Sequence, residues 1–335
     1  MTATKPRVHV IATGGTISSI GPHRLDYTEY VETTQRLTAA QLLERIPEAR
    51  DIADVTHEDM SAVSSGAIGP SQWLDLARHV NGLFSADPAL AGVVITHGTS
   101  TLEETAYFLH LAVKTAKPVV LTGAMRPVSS VSSDGDLNLL DAVRVAASPS
   151  AAGRGVLGVL NNEICSARDA MKMNTFRVET FKPGELGFLG YVDSDGRVLF
   201  YRNVDRAHTV ATPFDPSRIA SPPRVDVVYA YTGMDATVVD AIAARRPAGL
   251  VLAGYGGGTF PSVATEAAAR IVAAGAPVVL ATRVPSGRVI NTSGKAARGF
   301  LVCDNLLPGK ARILLMLALT VTNDHAEIQR MFDVY

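Results

Sequence analysis

Short apolar runs rich in β-branched residues recur along the chain and alternate with amphipathic stretches. These runs predict buried strands at residues 8–12, 93–96, 119–122, 156–160, 225–229, 249–253 and 278–282. Apolar residues at helical spacing predict helices at 71–83, 137–147, 237–244 and 263–274. Strands that alternate with helices are typical of parallel sheets covered by helices, so the sequence predicts an α/β fold.

The segment 206–223 separates two such alternating regions. It is rich in proline and lacks hydrophobic periodicity, which is typical of a linker. We therefore expect a larger amino-terminal domain over residues 1–205, mainly a parallel sheet flanked by helices, and a smaller carboxy-terminal α/β domain over 224–335. Within the first domain, the turn sequence DSDG at 193–196 lies between two apolar runs and predicts a hairpin that closes the sheet with an antiparallel edge.

Composition narrows the class of function. The net charge of −1, with 19% charged residues, provides no basic field that could hold nucleic acid or an anionic membrane surface. No apolar run reaches the roughly 18 residues that cross a bilayer, and the amino terminus lacks the pattern of a signal peptide. Cys165 and Cys303 both lie next to apolar residues, which favours buried thiols over a disulfide framework. We expect a cytoplasmic protein that acts on a small molecule.

Hydroxyl-bearing turns follow two of the predicted strands. In open α/β sheets, ligands bind at the carboxyl ends of strands, and Thr99 lies at such an end. Its neighbour Ser100, with Glu103 three residues on, fits a capping box that begins a helix. His97, beside them, is more often a packed, hydrogen-bonded histidine than a catalytic base.

The first strand is followed by TGGTISS at residues 13–19. Two glycines let the backbone turn sharply and present Thr16 beyond the strand end. A glycine turn with a helix-capping threonine is an equally simple interpretation. A phosphate loop is disfavoured because no Gly-Lys-Ser/Thr follows. Residues 20–30 come next, rich in turn-forming and polar residues, and are the candidate lid.

Lys172 and a second glycine turn complete the set of candidates. A lysine beside hydroxyls in a closed site has a lowered pKa and can accept a proton from threonine, although most lysines simply face solvent. The turn GYGGGT at 254–259 resembles a dinucleotide loop but lacks the final glycine and the acidic residue farther on. The histidines are scattered without metal-ligand spacing, so we expect neither a metal nor a cofactor.

Several motifs in a fixed order resemble the bacterial asparaginase/glutaminase family of amidohydrolases, over nearly the whole chain. They are TGGTI at 13–17, ITHGTSTLEETAY at 95–107, TGAMRP at 122–127, SDG at 133–135, the region 168–175 with its RD and KMNT pairs, and RVPSG at 283–287.

The resemblance implies a mechanism and a set of site residues. Thr16 would be the nucleophile and Tyr27 its lid partner, while Thr99 and Lys172 would form a second hydroxyl–amine pair that assists proton transfer or attack by water on the acyl-enzyme. It also implies a catalytic amino-terminal domain and a homotetramer of close dimers, or a homodimer, with sites between subunits. The positions expected to contact substrate are Gly15, Ser65, Gly66, His97, Ser100 and Ala124.

Departures from the family pattern affect one group of the substrate. Ser100 stands where the family has an aspartate, Gly66 where it has a glutamine and Gly233 where it has an asparagine, and no acid lies between Pro285 and Phe300. By the resemblance, these positions hold the α-ammonium of the amino acid, and each charged hydrogen bond lost costs about 1.5–3 kcal/mol. We therefore expect a substrate without the usual free α-amino group: a dicarboxylic acid monoamide, a blocked amino-acid amide or a lactam-like amide.

Two alternatives stay open at this point, and a third is set aside. A genuine L-asparaginase could replace the lost acids with Glu29, Glu32 or an acid from a neighbouring subunit. A catalytically silent relative could bind only a small ligand, but such a protein has no chemical need to retain the set Thr16, Tyr27, Thr99 and Lys172. Amide transfer on charged tRNA requires an extra domain and a basic surface that the sequence lacks.

Overall fold

The computed structural model describes residues 4–60 and 65–335. The chain divides into two compact units, residues 1–211 and 212–335. The division lies inside the segment 206–223, which also contains two short 3-10 turns, Thr209–Ala211 and Pro216–Arg218. The domain limits 1–205 and 224–335 stay a prediction, whereas the α/β class is confirmed.

The first unit is built on an eight-stranded sheet with helices packed against it. Its strands, including a separate β7–β8 pair, are β1 (Arg7–Ala12), β2 (Asp54–Asp59), β3 (Leu90–Thr96), β4 (Val119–Thr122), β5 (Val156–Leu160), β6 (Glu163–Ser166), β7 (Met171–Lys172), β8 (Phe181–Lys182), β9 (Gly190–Val192) and β10 (Val198–Phe200). Its α-helices are α1 (Ala39–Glu44), α2 (Ala49–Ile52), α3 (Pro70–Ala86), α4 (Leu102–Ala112) and α5 (Gly135–Ala147).

Strand order in the large sheet is β10-β9-β6-β5-β4-β3-β1-β2. The strands from β5 to β2 in this order run parallel, and the first three, β10, β9 and β6, are antiparallel to their neighbours. The β9–β10 hairpin closes the edge as the DSDG turn predicts. In register, Ala12 pairs with Thr96 and Thr96 with Thr122, so the carboxyl ends of β1, β3 and β4 meet at one edge.

The buried strands owe their position to the apolar runs seen in the sequence. Val94, Val120 and Leu157 lie on adjacent strands and pack with Leu139 and Val143 of α5 in one cluster. Full burial of each such side chain contributes about 1.5–3 kcal/mol. This rigid core fixes the strand ends from which the polar turns emerge.

One predicted local feature is wrong. The α4 helix begins at Leu102 with Thr101 as its N-cap and no capping side-chain hydrogen bond, so Ser100 and Glu103 do not form a capping box. The carboxylate of Glu103 instead accepts the backbone N–H of Lys172. A tertiary hydrogen bond has replaced the local one that the sequence pattern suggested.

The second unit is a four-stranded parallel sheet in the order β11-β12-β13-β14 with helices around it. Its elements are β11 (Val225–Tyr229), α6 (Thr237–Ala244), β12 (Gly249–Gly254), α7 (Ser262–Ala273), β13 (Val278–Thr282), α8 (Ser293–Ala296), β14 (Leu301–Val302), α9 (Pro308–Ala318) and α10 (His325–Val334). Cys165 and Cys303 are buried thiols outside any disulfide, as predicted. Within the described residues, no helix is both long and apolar enough to cross a membrane.

Candidate active site

Two glycines allow the turns after β1 and β3 to pack backbone against backbone. Gly15 has a φ of +93°, and a Cβ on it would lie 2.5 Å from Cα of Gly98. Thr13 ties the same two segments, since its N–H and its hydroxyl both donate to the carbonyl of Thr96, at 3.1 and 2.8 Å. A side chain at position 15 would therefore separate the turn that carries Thr16 from the turn that carries Thr99.

Thr99 and Lys172 form a direct pair. The lysine Nζ donates to the Thr99 hydroxyl oxygen at 2.9 Å, and Thr99 is only 5% exposed. The short β7–β8 pair and the bond to Glu103 fix the lysine backbone. Burial lowers the pKa of the Lys172 ammonium, and the nearby Glu103 carboxylate partly opposes this. A lysine with a lowered pKa next to a hydroxyl is arranged to exchange a proton with it.

Within the described residues, the tyrosine hydroxyl that lies beside Thr16 is that of Tyr30, where the sequence predicts Tyr27. The hydroxyl oxygens of Thr16 and Tyr30 lie 3.1 Å apart. Tyr27 instead donates to the carbonyl of Val131 at 3.2 Å. The cause is Asp26, whose carboxylate accepts the backbone N–H groups of residues 28 to 30 and turns the chain so that Tyr30 faces the threonine.

The signal that could have identified Tyr30 was an aspartate followed by polar residues. The Asp26 side chain caps a tight turn, as aspartates often do. In such a turn, the residue four positions later in the sequence lies close to the start of the segment. Burial of Asp26 opposes ionisation, but the three backbone donors more than compensate and lower the pKa of this carboxyl. The turn is therefore stable with Asp26 ionised.

Thr16, Thr99 and Lys172 line one cavity of about 230 Å³ in the first unit. This volume suits a small ligand. Two side chains on its wall carry positive charge, Arg36 and Lys172, and none of the described lining residues carries a carboxylate. The full lining is Gly15, Thr16, Ser19, Tyr30, Val31, Arg36, Gly98, Thr99, Ser100, Met125, Lys172, Thr175 and Phe176.

Arg36 is a charged lining residue that sequence reasoning missed. It is an isolated arginine in a polar stretch before α1, with no motif around it. It reaches the cavity because residue 36 pairs with Ser19 in an isolated antiparallel bridge. No local sequence pattern announces such a bridge between two loop segments.

His97 does not reach the cavity, contrary to the expected contact with substrate. It is fully buried, with Nδ1 at 2.8 Å from the Gly98 carbonyl and Nε2 at 3.0 Å from the Thr105 hydroxyl. A carbonyl can only accept, so Nδ1 carries the proton and Nε2 accepts from Thr105, which in turn accepts from the Trp73 indole at 2.8 Å. Burial lowers the pKa of His97 to about 4, so the imidazole is a neutral support for the turn.

The other expected contact residues fall into separate groups. Gly15 and Ser100 line the cavity. Ala124 is fully buried in the hydrophobic core cluster, so its side chain serves packing. Gly66 is exposed in the 3-10 turn Ser65–Ala67, and the side chain of Ser65 lies outside the described part of the structure. The predicted set is therefore brought together only in part.

Fold and site define an α/β enzyme with paired threonine hydroxyls, and the comparisons with known proteins name its family. Residues 7–206 match the family model for the asparaginase N-terminal domain, and residues 224–332 match the glutaminase/asparaginase C-terminal domain. The chain belongs to the asparaginase/glutaminase family, as the sequence motifs predicted. The expectation of a hydrolase acting on amide carbon–nitrogen bonds is thereby confirmed at the level of enzyme class.

Relatives match over almost the full length. The chain is 42% identical over 330 residues to L-asparaginase 2 of Bacillus subtilis (strain 168), which covers 98% of this chain and 87% of that protein. It is 38% identical to a glutaminase-asparaginase of Pseudomonas fluorescens biotype A, with 98% and 90% covered. The crystal structure of a probable cytoplasmic L-asparaginase from Campylobacter jejuni superposes with a TM-score of 0.94 at 38% identity, covering 99% of this chain and 100% of that one.

Proposed function

We propose that the protein hydrolyses a small carboxamide with Thr16 as nucleophile, through an acyl-enzyme. The observation that carries this proposal is the 2.9 Å bond from Lys172 to the Thr99 hydroxyl, in the same cavity as Thr16. Hydrolysis of the acyl-enzyme needs a base that takes a proton from the attacking water, and a lysine with a lowered pKa provides one.

The two hydroxyl groups have different roles in this mechanism. The Thr16 oxygen attacks the amide carbon, its proton passes along the Tyr30 hydroxyl 3.1 Å away, and protonated nitrogen leaves as ammonia. The resulting ester is then attacked by a water molecule, which gives a proton toward the Thr99–Lys172 pair. Release of the acid returns a proton to the Thr16 oxygen.

Charge in the cavity supports a substrate without a free α-amino group. An ammonium in a water-poor pocket needs acidic or good acceptor partners, yet the described lining carries two cations and no carboxylate. Ser100, where the family has an aspartate, is on that wall. A carboxamide that bears no ammonium avoids the unfavourable contact.

Turnover of asparagine or glutamine is the second candidate, favoured by the names of the relatives. In this case, the ammonium needs an acid from outside the described lining. Glu29 and Glu32 lie on the same short turn as Tyr30, Glu29–Glu32, and both are exposed. Either could supply that charge if the turn moved.

Ammonia release from a matched panel of amides separates these candidates. Succinamic acid is asparagine without its amino group, and N-acetylasparagine carries that group in neutral form. We expect a higher kcat/KM for succinamic acid than for asparagine or glutamine. A kcat/KM that is higher for free asparagine by tenfold or more would sink the substrate proposal, and no ammonia from any amide would support a silent relative. A cytoplasmic location and a homodimer or homotetramer stay predictions.

A further inference from the structure

One nitrogen of the Arg36 guanidinium is buried without a hydrogen-bond partner among the described residues. This nitrogen is Nη1, and the side chain as a whole is only partly buried. The same side chain lines the cavity that holds Thr16. Two other arginines of the first unit are paired with carboxylates: Arg45 donates to both oxygens of Asp136, at 2.9 and 2.8 Å, and Arg144 donates to Asp141 at 2.8 Å.

The position of Arg36 is fixed by its backbone. Leu37 donates its N–H to the Ser18 carbonyl at 2.8 Å, and Ile20 donates to the Gln35 carbonyl at 3.1 Å. These two bonds flank the Ser19–Arg36 bridge and join the arginine to the segment directly after Thr16. The charge is therefore held next to the nucleophile by the fold, and it is not on a freely moving loop.

A buried charged donor without an acceptor destabilises the protein, and a ligand that supplies the acceptor removes this free-energy cost. Buried polar groups are nearly always hydrogen-bonded, and a charged donor left without an acceptor is destabilising. Loss of a proton cannot remove this cost, because an arginine side chain stays charged in proteins. The natural acceptor for its planar fork is a carboxylate, which can take two parallel N–H bonds. Lys172, the other cation on the wall, is already bonded to Thr99.

We propose that Arg36 binds a carboxylate of the substrate, which makes the substrate an anionic amide. This inference rests on the proposed amide hydrolysis and narrows its substrate class. A dicarboxylic acid monoamide or an N-blocked ω-amide carries the required carboxylate, whereas a neutral lactam does not. The cavity of about 230 Å³ limits the chain between carboxylate and amide to a few atoms.

The test compares a charged amide with a neutral one of similar shape. Ammonia release is measured for succinamic acid and for butyramide with the wild type, Arg36→Met, Arg36→Lys and the control Arg45→Met. We expect Arg36→Met to lower kcat/KM for succinamic acid about 10- to 100-fold, mainly through KM, which corresponds to one charged hydrogen bond. Butyramide turnover should stay within about twofold. Arg36→Lys should recover part of the loss. Arg45→Met should leave the ratio of kcat/KM for succinamic acid to kcat/KM for butyramide unchanged.

Equal losses for both amides, or no loss for either, would overturn the proposal. Thermal unfolding without ligand controls for folding, since removal of an unpartnered charge should not lower the midpoint of Arg36→Met. Calorimetric titration with succinate separates this inference from the proposed reaction. If Thr16→Val binds succinate and Arg36→Met binds it at least about tenfold more weakly, the carboxylate site stands even where no amide is hydrolysed. Equal succinate binding by wild type and Arg36→Met rejects it.

Discussion

Two glycine turns follow parallel strands in this molecule, and each has a partly buried lysine beside it. In the first unit, Lys172 donates to the hydroxyl of Thr99 at 2.9 Å. In the second, Lys295 donates to the carbonyls of Gly257 and Ile290 at 2.6 and 2.8 Å. Burial lowers the pKa of both ammonium groups. The two lysines differ in what they are bonded to.

That difference separates a candidate base from a structural link. A carbonyl has no proton to give, so Lys295 can only hold the loop together. A hydroxyl is both donor and acceptor, so Lys172 can exchange a proton with Thr99. A glycine turn and a nearby lysine are therefore insufficient evidence for a catalytic site. The group to which the lysine donates its hydrogen bond distinguishes a candidate base from a structural link.

The second turn also shows why it is a poor dinucleotide loop. The backbone N–H groups of Tyr255 and Thr259 each donate to the carbonyl of the other residue, and Gly258 donates to Tyr255 as well. A pyrophosphate needs such donors to be available. Here the turn uses them to close on itself.

The largest expected effect contrasts Thr16 of the first-unit cavity with Thr259 of the second-unit turn. Thr16→Val should lower kcat for amide hydrolysis at least about 10³-fold, because the hydroxyl that forms the ester is lost. Thr259→Val, an exposed threonine in the second turn, should change kcat by less than about twofold. Ammonia release by both purified variants measures this. Comparable losses in the two variants would contradict the assignment of the reaction to the first-unit cavity.

The lysines should separate activity from stability. Lys172→Met should lower kcat by about 10²- to 10⁴-fold through loss of the base. Lys295→Met should keep kcat near that of the wild type but lose about 1 kcal/mol of unfolding free energy, since two carbonyls lose their donor. Steady-state kinetics and urea unfolding measure the two effects. A Lys295→Met variant that folds normally and is inactive would contradict the purely structural role of Lys295.

Variants of Tyr30 and Tyr27 test which of the two hydroxyl groups assists Thr16. Tyr30→Phe should lower kcat by roughly 10- to 100-fold because the hydroxyl beside Thr16 is lost. Tyr27→Phe removes a bond to the Val131 carbonyl and should have only a few-fold effect, mainly on KM. If Tyr27→Phe proves more damaging than Tyr30→Phe, the lid rearranges on substrate binding and the family-based expectation of Tyr27 is restored.

The smallest effect is a shift in pH dependence. The base form of Lys172 is neutral, so kcat should rise with pH through the lysine pKa, which burial has lowered below its ordinary value. Glu103 raises that pKa, so Glu103→Gln should lower it further and move the rising limb of the pH–kcat profile to lower pH. Lys295, with no catalytic role, provides the control, because Lys295→Met should leave the limb in place. A limb displaced to higher pH in Glu103→Gln would contradict the assignment.

Sequence patterns predicted several strands with the bounds that the structure has. In β4, β5 and β13 every residue is buried, and a strand covered on both faces leaves an uninterrupted apolar run. The β2 strand was missed, since its sequence DVTHED is largely exposed at the sheet edge and has no apolar run. Burial, rather than strand propensity, provided the usable signal.

The site was predictable where it follows directly from a strand end or a motif. Thr16 and Thr99 belong to the turns after β1 and β3, and their meeting follows from strand order. Tyr30 and Arg36 were missed because their positions depend on the Asp26 turn and on the Ser19–Arg36 bridge. Such contacts between loops leave no periodic trace in a sequence.

The central claim, that Thr16 and not Thr99 is the nucleophile, is tested most directly by locating the acyl group. The wild type is mixed with the amide that it hydrolyses best, quenched rapidly in acid, digested and analysed by mass spectrometry. If Thr16 is the nucleophile, we expect an added acyl mass on the peptide that contains Thr16 and no added mass in Thr16→Val. An acyl group on Thr99, or on any residue other than Thr16, would contradict it.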